Sequence, residues 1–318
     1  MIESFLTDEI GFHSVDTPTE GCWVNVVAPT ADDRRFLTED LGVDEAFMRA
    51  ALDDEESSHV DYDDESGQTL VILDCPFVED EDEAEDPDMM QYDTHPLSVL
   101  FLRSQDMIVT ISLRENAVLN HFACGKEREF NTHQRTRFLL RIFLMISQAY
   151  VRYLRTVNRQ FIKIEKTLHK TMQNGELVRM LGLEKSLVYF STSLRADEAT
   201  LQKIANGRVV RLYQDDKDLL EDVSIELKQA IEMSTIYSSI LNGTMDAFSS
   251  VINNNLNTVM RTLTVVTIVL AIPTILFSFY GMNVEGLPIA YTWLFPLILS
   301  LVLMVVAIIF FRRNKLFR

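Results

Sequence analysis

The sequence predicts an α+β domain in α/β/α layers, followed by a very long helix and a two-helix membrane hairpin. Three observations predict it. Residues 1–125 mix strand-like alternation with short helical periods. From 132 onward the pattern is helical almost throughout. The two uncharged apolar runs of membrane length, 263–280 and 291–311, both lie near the C-terminus.

In chain order, Trp23-Val24-Asn25-Val26-Val27 reads as a strand closed off by Pro29, and 31–41 and 43–52 read as short helices. Residues 69–78, 97–102 and 107–113 are rich in β-branched residues and partly alternating, which predicts strands. The last two are joined by Arg103-Ser104-Gln105-Asp106 as a hairpin. Two acidic stretches interrupt the region. These are Asp53-Asp54-Glu55-Glu56 and a run that starts at Glu79-Asp80-Glu81-Asp82-Glu83 and continues through Asp88; the second reads as a solvated loop. Helices are expected over 132–173 and 176–205, each ending near an Asn-Gly pair. A third begins near 211 and meets no proline until Pro273. Continuous to Tyr280, it is about 70 residues and roughly 100 Å long, which calls for partners along its length and hence an oligomer. The expected partition is 1–130, an α/β domain; 131–210, a helical hairpin; 211–262, a stalk helix; 263–280, a first span; 281–290, a loop; 291–311, a second span; and 312–318, a basic tail.

Charge is lopsided. The 318 residues carry 47 Asp and Glu against 29 Lys and Arg, a formal net charge of −18. Such a surface argues against nucleic acid as a partner and suits cations. The three cysteines, Cys22, Cys75 and Cys124, are isolated and give no disulfide framework, which fits a reducing compartment. Residues 1–21 are acidic and have neither a signal-peptide core nor an Arg-rich transit pattern, so the bulk of the chain is expected in the cytoplasm.

Both apolar runs are long enough to cross ~30 Å of hydrocarbon as helices. Pro273 and Pro296 lie inside them, as membrane helices tolerate, and Tyr280, Tyr291 and Trp293 flank the gap at interface positions. The gap, 281–290, has no Lys or Arg and one acid, Glu285. Arg261 precedes the first span, and Arg312, Arg313, Lys315 and Arg318 follow the second. Basic residues stay inside, which puts both termini in the cytoplasm, the loop outside and the protein in the plasma (inner) membrane as a two-span protein embedded in lipid.

The long helix carries a polar seam. Asp246, Ser250, Asn253, Asn257, Met260, Thr264, Thr267, Ala271, Thr274 and Ser278 recur at alternating steps of four and three, a heptad-type face. A scaffold coiled coil would carry large apolar residues there. This seam is small or polar except at Met260, and it runs through a span otherwise built of Val, Ile, Leu and Phe. Polar groups in a span face a protein interior or a water-filled cavity, so the face is expected to line a pore. One two-span chain cannot surround an axis, so several copies are needed.

The seam ends at Tyr280-Gly281-Met282-Asn283, in the gap between the spans. A Gly-Met-Asn tripeptide at the outer end of the penultimate span resembles the signature of the CorA family of magnesium channels. The resemblance covers the order of parts over most of the chain, with motif-level matching from Asp246 to Pro288. It implies a homopentamer whose first span lines the pore and whose second lies outside it. It implies that Asn257 matches a polar ring near the cytoplasmic membrane edge, that Met260 and Leu263 match an apolar constriction, and that Asn283 matches the asparagine at the external mouth. Asp246 matches a stalk acid that senses magnesium between subunits, for which Asp53, Asp54, Glu55 and Glu56 are candidate partners. Two departures stand out. Ala271 occupies a position where some relatives have methionine, and the loop Val284-Glu285-Gly286-Leu287-Pro288 keeps only Glu285 as an acid.

The residue types suit the ion. Magnesium dehydrates reluctantly, so a mouth that binds the hydrated ion is sufficient. The Asn283 amide oxygen accepts from protons of the water shell. Gly281 suits a helix C-terminus that needs φ > 0, and the negative end of the helix dipole favours a cation there. The seam carries no carboxylate within the membrane, which favours release. There is no Gly-x-x-x-x-Gly-Lys-Ser/Thr and no Gly-x-Gly pair, so a nucleotide is not expected as partner or energy source. Two charges moving through 100 mV release roughly 4.6 kcal/mol, enough for passive influx. No nucleophile motif marks an enzyme. The expectation is a channel for Mg2+, with Co2+ or Ni2+ as further cargo and cytosolic Mg2+ as regulator, and no organic cofactor. The alternative is a zinc transporter of ZntB type. Against it, the six histidines, His13, His59, His95, His121, His133 and His169, show no close His/Cys spacing.

Overall fold

The computed structural model describes residues 1–78, 91–127, 130–171, 174–207, 210–282 and 294–313. The acidic run over 79–88 lies outside them. The chain divides into two compact units, Met1–Gly243 and Thr244–Arg318.

The first unit is built on one seven-stranded sheet. In chain order its strands are β1 (Ile2–Asp8), β2 (Gly11–Val15), β3 (Trp23–Val27), β4 (His59–Asp63), β5 (Gln68–Val78), β6 (Tyr92–Leu102) and β7 (Met107–Ser112). Their spatial order is β2-β1-β3-β7-β6-β5-β4. Only β3 and β7 run parallel, with Trp23 opposite Ile108; the other neighbours are antiparallel. The expected hairpin is present: Leu102 pairs with Met107 around a short 3-10 turn at Arg103–Gln105.

Strand alternation sorts two cores. On one face Val24, Val26, Leu70, Ile72, Leu100, Val109 and Ile111 pack with Leu37, Phe47 and Met48. These last three come from the helical segment after β3. That segment is α1 (Ala31–Arg35), a π-helical turn (Phe36–Asp40) and α2 (Glu45–Ala51). Thr30 and Asp33 form a reciprocal cap that fixes where α1 starts. On the other face, Trp23 lies 4.9 Å from Phe138 and 5.0 Å from Phe5, ring centre to ring centre. Phe138 belongs to α4 (Arg135–Thr171), which packs on this face with α3 (Ala117–Ala123) and α5 (Asn174–Ala205). The Trp23 indole N–H donates to Thr110 Oγ1 at 2.9 Å, and that hydroxyl donates to Asn25 Oδ1 at 3.0 Å, so three buried polar side chains of this face are linked in one chain. Helices cover both faces, the α/β/α arrangement expected.

The sequence pattern did not announce β1, β2, β4, α3 or the first half of β6. β2 and β4 are edge strands with polar or mixed sequences, Gly-Phe-His-Ser-Val and His-Val-Asp-Tyr-Asp. In β6, Pro96 reads as a break, although it sits opposite Asp74 within the ladder.

Helix α6 (Lys217–Tyr280) is continuous for 64 residues, about 96 Å at 1.5 Å per residue, with Pro273 inside it. It starts at Lys217 rather than near 211. The Thr136 hydroxyl donates to Arg211 O at 2.9 Å, and the Asp216 carboxylate accepts from the Tyr213 N–H at 3.1 Å, which hold the preceding segment out of the helix. Helix α7 (Leu294–Arg313) follows and ends in Arg312 and Arg313. Helices α6 and α7 are each long and apolar enough to cross a membrane.

Candidate functional site

The whole seam from Asp246 to Ser278 falls within α6 and within the second unit. At 100° per residue its members between Thr264 and Ser278 cluster on one face. Val265 and Val269, buried at 2 % and 8 % exposure, and the half-buried Leu276 and Tyr280 lie on another, roughly 170° away. That buried face is the one turned toward α7, because the Tyr280 ring meets Phe295 at 6.0 Å in a T-shaped pair. Seam residues are exposed apart from Ala271, which is half-buried; Met260 is 53 % exposed, and its neighbour Leu263, off the seam, is 58 % exposed. The structure therefore places the polar stripe on the side of α6 opposite its α7-facing surface.

Four of the five hydroxyls of the stripe share one geometry. Ser250 donates to Asp246 O at 3.0 Å, Thr264 to Met260 O at 2.8 Å, Thr267 to Leu263 O at 2.8 Å and Thr274 to Leu270 O at 3.3 Å. Each hydroxyl proton is thereby committed to the helix's own carbonyl one turn back. What remains outward is the oxygen with its lone pairs, an acceptor and not a donor. The stripe thus offers acceptors to a cation or to the protons of its water shell. Asn253 and Asn257 continue it with exposed amides.

Helix α6 ends where the signature begins. The Gly281 N–H donates to Phe277 O at 2.9 Å and the Met282 N–H to Phe279 O at 3.4 Å. Gly281 is not among the residues with positive φ, which corrects the expected reason for glycine here. A Cβ at Gly281 would lie 3.0 Å from the Phe277 carbonyl oxygen, tighter than ordinary contact, so the constraint is close backbone approach. Asn283 and Glu285 lie outside the described residues. Asp246 is exposed and has no side-chain partner among the described residues. Of its candidate partner acids, all in the first unit, Asp53 accepts from the Glu55 N–H at 3.0 Å and Glu56 lies 3.6 Å from the His59 ring.

One constellation was not singled out in the sequence. Asp74 of β5 and Asp197 of α5 are buried side by side, with the Asp74 N–H donating to Asp197 Oδ1 at 3.0 Å. Burial pushes the Asp74 carboxyl up to about 6, against bonds from Ser193 and Ser58 and the nearby His59, which pull it down. Burial, then the neighbouring Asp74 charge, push Asp197 well above the usual carboxylate range. Asp197 Oδ2 has no hydrogen-bond partner. The available signal was an acid inside Leu70-Val71-Ile72-Leu73-Asp74-Cys75, an otherwise apolar strand.

Comparison with known proteins gives the same outline. The family model described as CorA-like Mg2+ transporter protein matches residues 19–313. The cobalt/magnesium transport protein CorA of Methanocaldococcus jannaschii is 25 % identical over 313 residues, covering 96 % of this chain and 93 % of the relative. The complete structure of the CorA magnesium transporter from the same organism superposes with a TM-score of 0.78 at 24 % identity, covering 99 % of this chain and 96 % of that one. The ZntB cytoplasmic domain from Vibrio parahaemolyticus shares the fold at a TM-score of 0.59 and 13 % identity, over 80 % of this chain and 97 % of that one. With the family model spanning both the sheet domain and the two apolar helices, the chain belongs to the CorA-like Mg2+ transporter family.

Proposed function

We propose that this protein conducts hydrated Mg2+, with Co2+ and Ni2+ as further cargo, passively into the cell along the oxygen stripe of α6. The observation that carries the reading is the stripe of back-bonded threonine hydroxyls on the face opposite the α7-facing side, ending at Gly281 and Met282. Family membership and the name of the M. jannaschii relative, a cobalt/magnesium transport protein, support the choice of ion.

In this reading five copies surround an axis. Residues 211–262 form the stalk, 263–280 line the pore and 291–311 lie outside it against lipid. The five Asn283 amides form a neutral ring at the external mouth that accepts from the water shell, since stripping Mg2+ is slow. Below it Ser278, Thr274, Thr267 and Thr264 pass the hydrated ion from one set of lone pairs to the next, past the small Ala271. Met260 and Leu263 narrow the apolar section, and Asn257 and Asn253 receive the ion beyond it. Asp246 and an acid of a neighbouring copy bind cytosolic Mg2+ and hold the stalk closed until the internal concentration falls. Both termini face the cytoplasm, and Arg261, Arg312 and Arg313 hold that orientation.

The test is Mg2+ influx into proteoliposomes under an inside-negative potential, with parallel Co2+ and Zn2+ arms. Wild type conducts and Asn283→Ala loses at least tenfold of the flux. Wild-type flux at the level of empty vesicles sinks the channel reading, and zinc flux exceeding magnesium flux favours a ZntB-type transporter.

A further inference from the structure

The first unit contains a cavity of about 420 Å³ between the β6–β7 turn, the start of α4 and the segment that precedes α6. Its lining is basic, with no carboxylate among the residues that line it. Arg103 comes from the turn, His133, Arg135 and Thr136 from the start of α4 and the residues before it, and Arg211 and Tyr213 from the segment before α6. Three guanidinium groups thus converge on one space in a protein of net charge −18.

The three are incompletely neutralised. Arg135 pairs through Nη2 with Asp106, but its Nη1 is buried and has no hydrogen-bond partner. Arg103 lies 5.2 Å over the Tyr62 ring, with Nη1 3.5 Å from the Tyr62 hydroxyl. Arg211 lies 5.3 Å over the Tyr213 ring. Neither Arg103 nor Arg211 has a carboxylate partner among the described residues. Stacking on aromatic rings holds a guanidinium's plane while leaving its edge donors to a ligand. The Thr136 hydroxyl bond to Arg211 O ties two walls of the cavity together. Arg135 and Thr136 are the first residues of a 37-residue helix, so its positive dipole end adds to the same field.

We propose that this cavity binds a soluble anion carrying two or more phosphates. Planar guanidinium forks match phosphate oxygens two at a time, and three of them with one carboxylate leave a surplus of about two positive charges, which suits a diphosphate better than a single phosphate. The volume falls within the range of small-molecule sites. The inference is independent of the ion pathway, since every residue it uses lies in the first unit.

The test uses the full-length protein in detergent, with EDTA so that no magnesium competes. Isothermal titration calorimetry with pyrophosphate, and with inorganic phosphate as reference, is run on wild type and on Arg103→Gln, Arg211→Gln and the double variant. Both side chains are exposed, so the variants keep the fold, and a thermal unfolding scan checks this. Wild type binds pyrophosphate saturably and at least tenfold more tightly than phosphate. Each single variant weakens pyrophosphate binding at least tenfold and the double variant abolishes it. Pyrophosphate binding that the double variant leaves unchanged overturns the proposal. So does the absence of binding at 10 mM, on the order of the weakest affinity a built site would show. Absent binding together with a smaller assembly for the arginine variants would give these side chains to a subunit contact instead.

Discussion

In the first unit Trp23, Thr110 and Asn25 are buried and bond one another in a chain; in the second, Ser250, Thr264, Thr267 and Thr274 stand exposed on a helix, each bonded only to its own backbone. The first arrangement is closed, because the indole N–H, the hydroxyl and the amide oxygen satisfy one another inside the chain, which helps fix the sheet. The second is open. Donors are consumed locally and acceptors are turned outward, so the partner has to come from beyond the chain. The Asp74–Asp197 pair sits between these cases. It is buried as in the first unit's core, yet Asp197 Oδ2 is unpartnered.

The largest effect expected from this contrast belongs to that pair. The folded state holds Asp74 at about 6 against an ordinary 3.8, so between those values it binds a proton that the unfolded chain has released. Stability therefore falls as pH rises from about 4 to about 6, and Asp197, raised by burial and by the Asp74 charge, adds to the loss in the same direction. Asp74→Asn removes this titration, while the asparagine carbonyl oxygen can still accept from Ser193 and Ser58. Urea unfolding of the full chain in detergent at pH 4, 5, 6 and 7 reads it out. The variant's stability is flatter than wild type's across the window, and parallel curves for the two proteins refute the assignment.

The next effect tests the open arrangement by its direction on the helix. Thr264→Val, Thr267→Val and Thr274→Val combined remove three outward oxygens at nearly constant volume. Mg2+ flux falls about tenfold, equivalent to about 1.4 kcal/mol of barrier. Unfolding barely changes, because each lost bond was local. Thr258 and Thr262 are the internal control. They donate to Asn254 O and Thr258 O at 3.0 and 2.9 Å, the same back-bonded geometry, but point toward the side of α6 opposite the stripe. Thr258→Val with Thr262→Val leaves flux unchanged. Equal losses from the two sets would mean that helix stiffness, and not the outward oxygens, governs conduction.

The two units also differ in how legible they were in the sequence. The long helix was readable because periodicity accumulates over 64 residues and a single proline does not end it. The stripe was readable for the same reason, since its spacing alone put Asp246 and Ser278 on one face. In the sheet, the interior strands β3, β5 and β7 declared themselves by runs such as Leu70-Val71-Ile72-Leu73. The edge strands β2 and β4 did not, because one side of each meets solvent and needs no apolar pattern. The buried acids were harder still. Asp74 and Asp197 lie far apart in sequence and meet only because α5 packs across β5. The same holds for Arg103, Arg135 and Arg211, which no local motif links. The role of Gly281 depended on where the Phe277 carbonyl sits, which spacing cannot give.

The smallest effect separates the stripe's outward oxygens from its one charge. Asp246 lies on the same face as the hydroxyls but before the first span, and its carboxylate has no partner in its own chain among the described residues. In the proposed five-copy assembly such charges would lie near one axis and repel, which would favour an open stalk. A divalent ion between subunits would relieve that repulsion and so bind the closed state better than the open one. Asp246→Asn removes the repulsion and the ion's ligand together. The half-inhibiting internal Mg2+ rises about fivefold, at the low end of coupling energies between sites. Single-channel conductance stays near wild type, because an uncharged amide at this depth still accepts from a hydrated ion. Currents recorded while internal Mg2+ is titrated decide it. An inhibition curve that superimposes on wild type places the sensor elsewhere, and a fall in conductance at every Mg2+ concentration places Asp246 in the conduction path with the threonines.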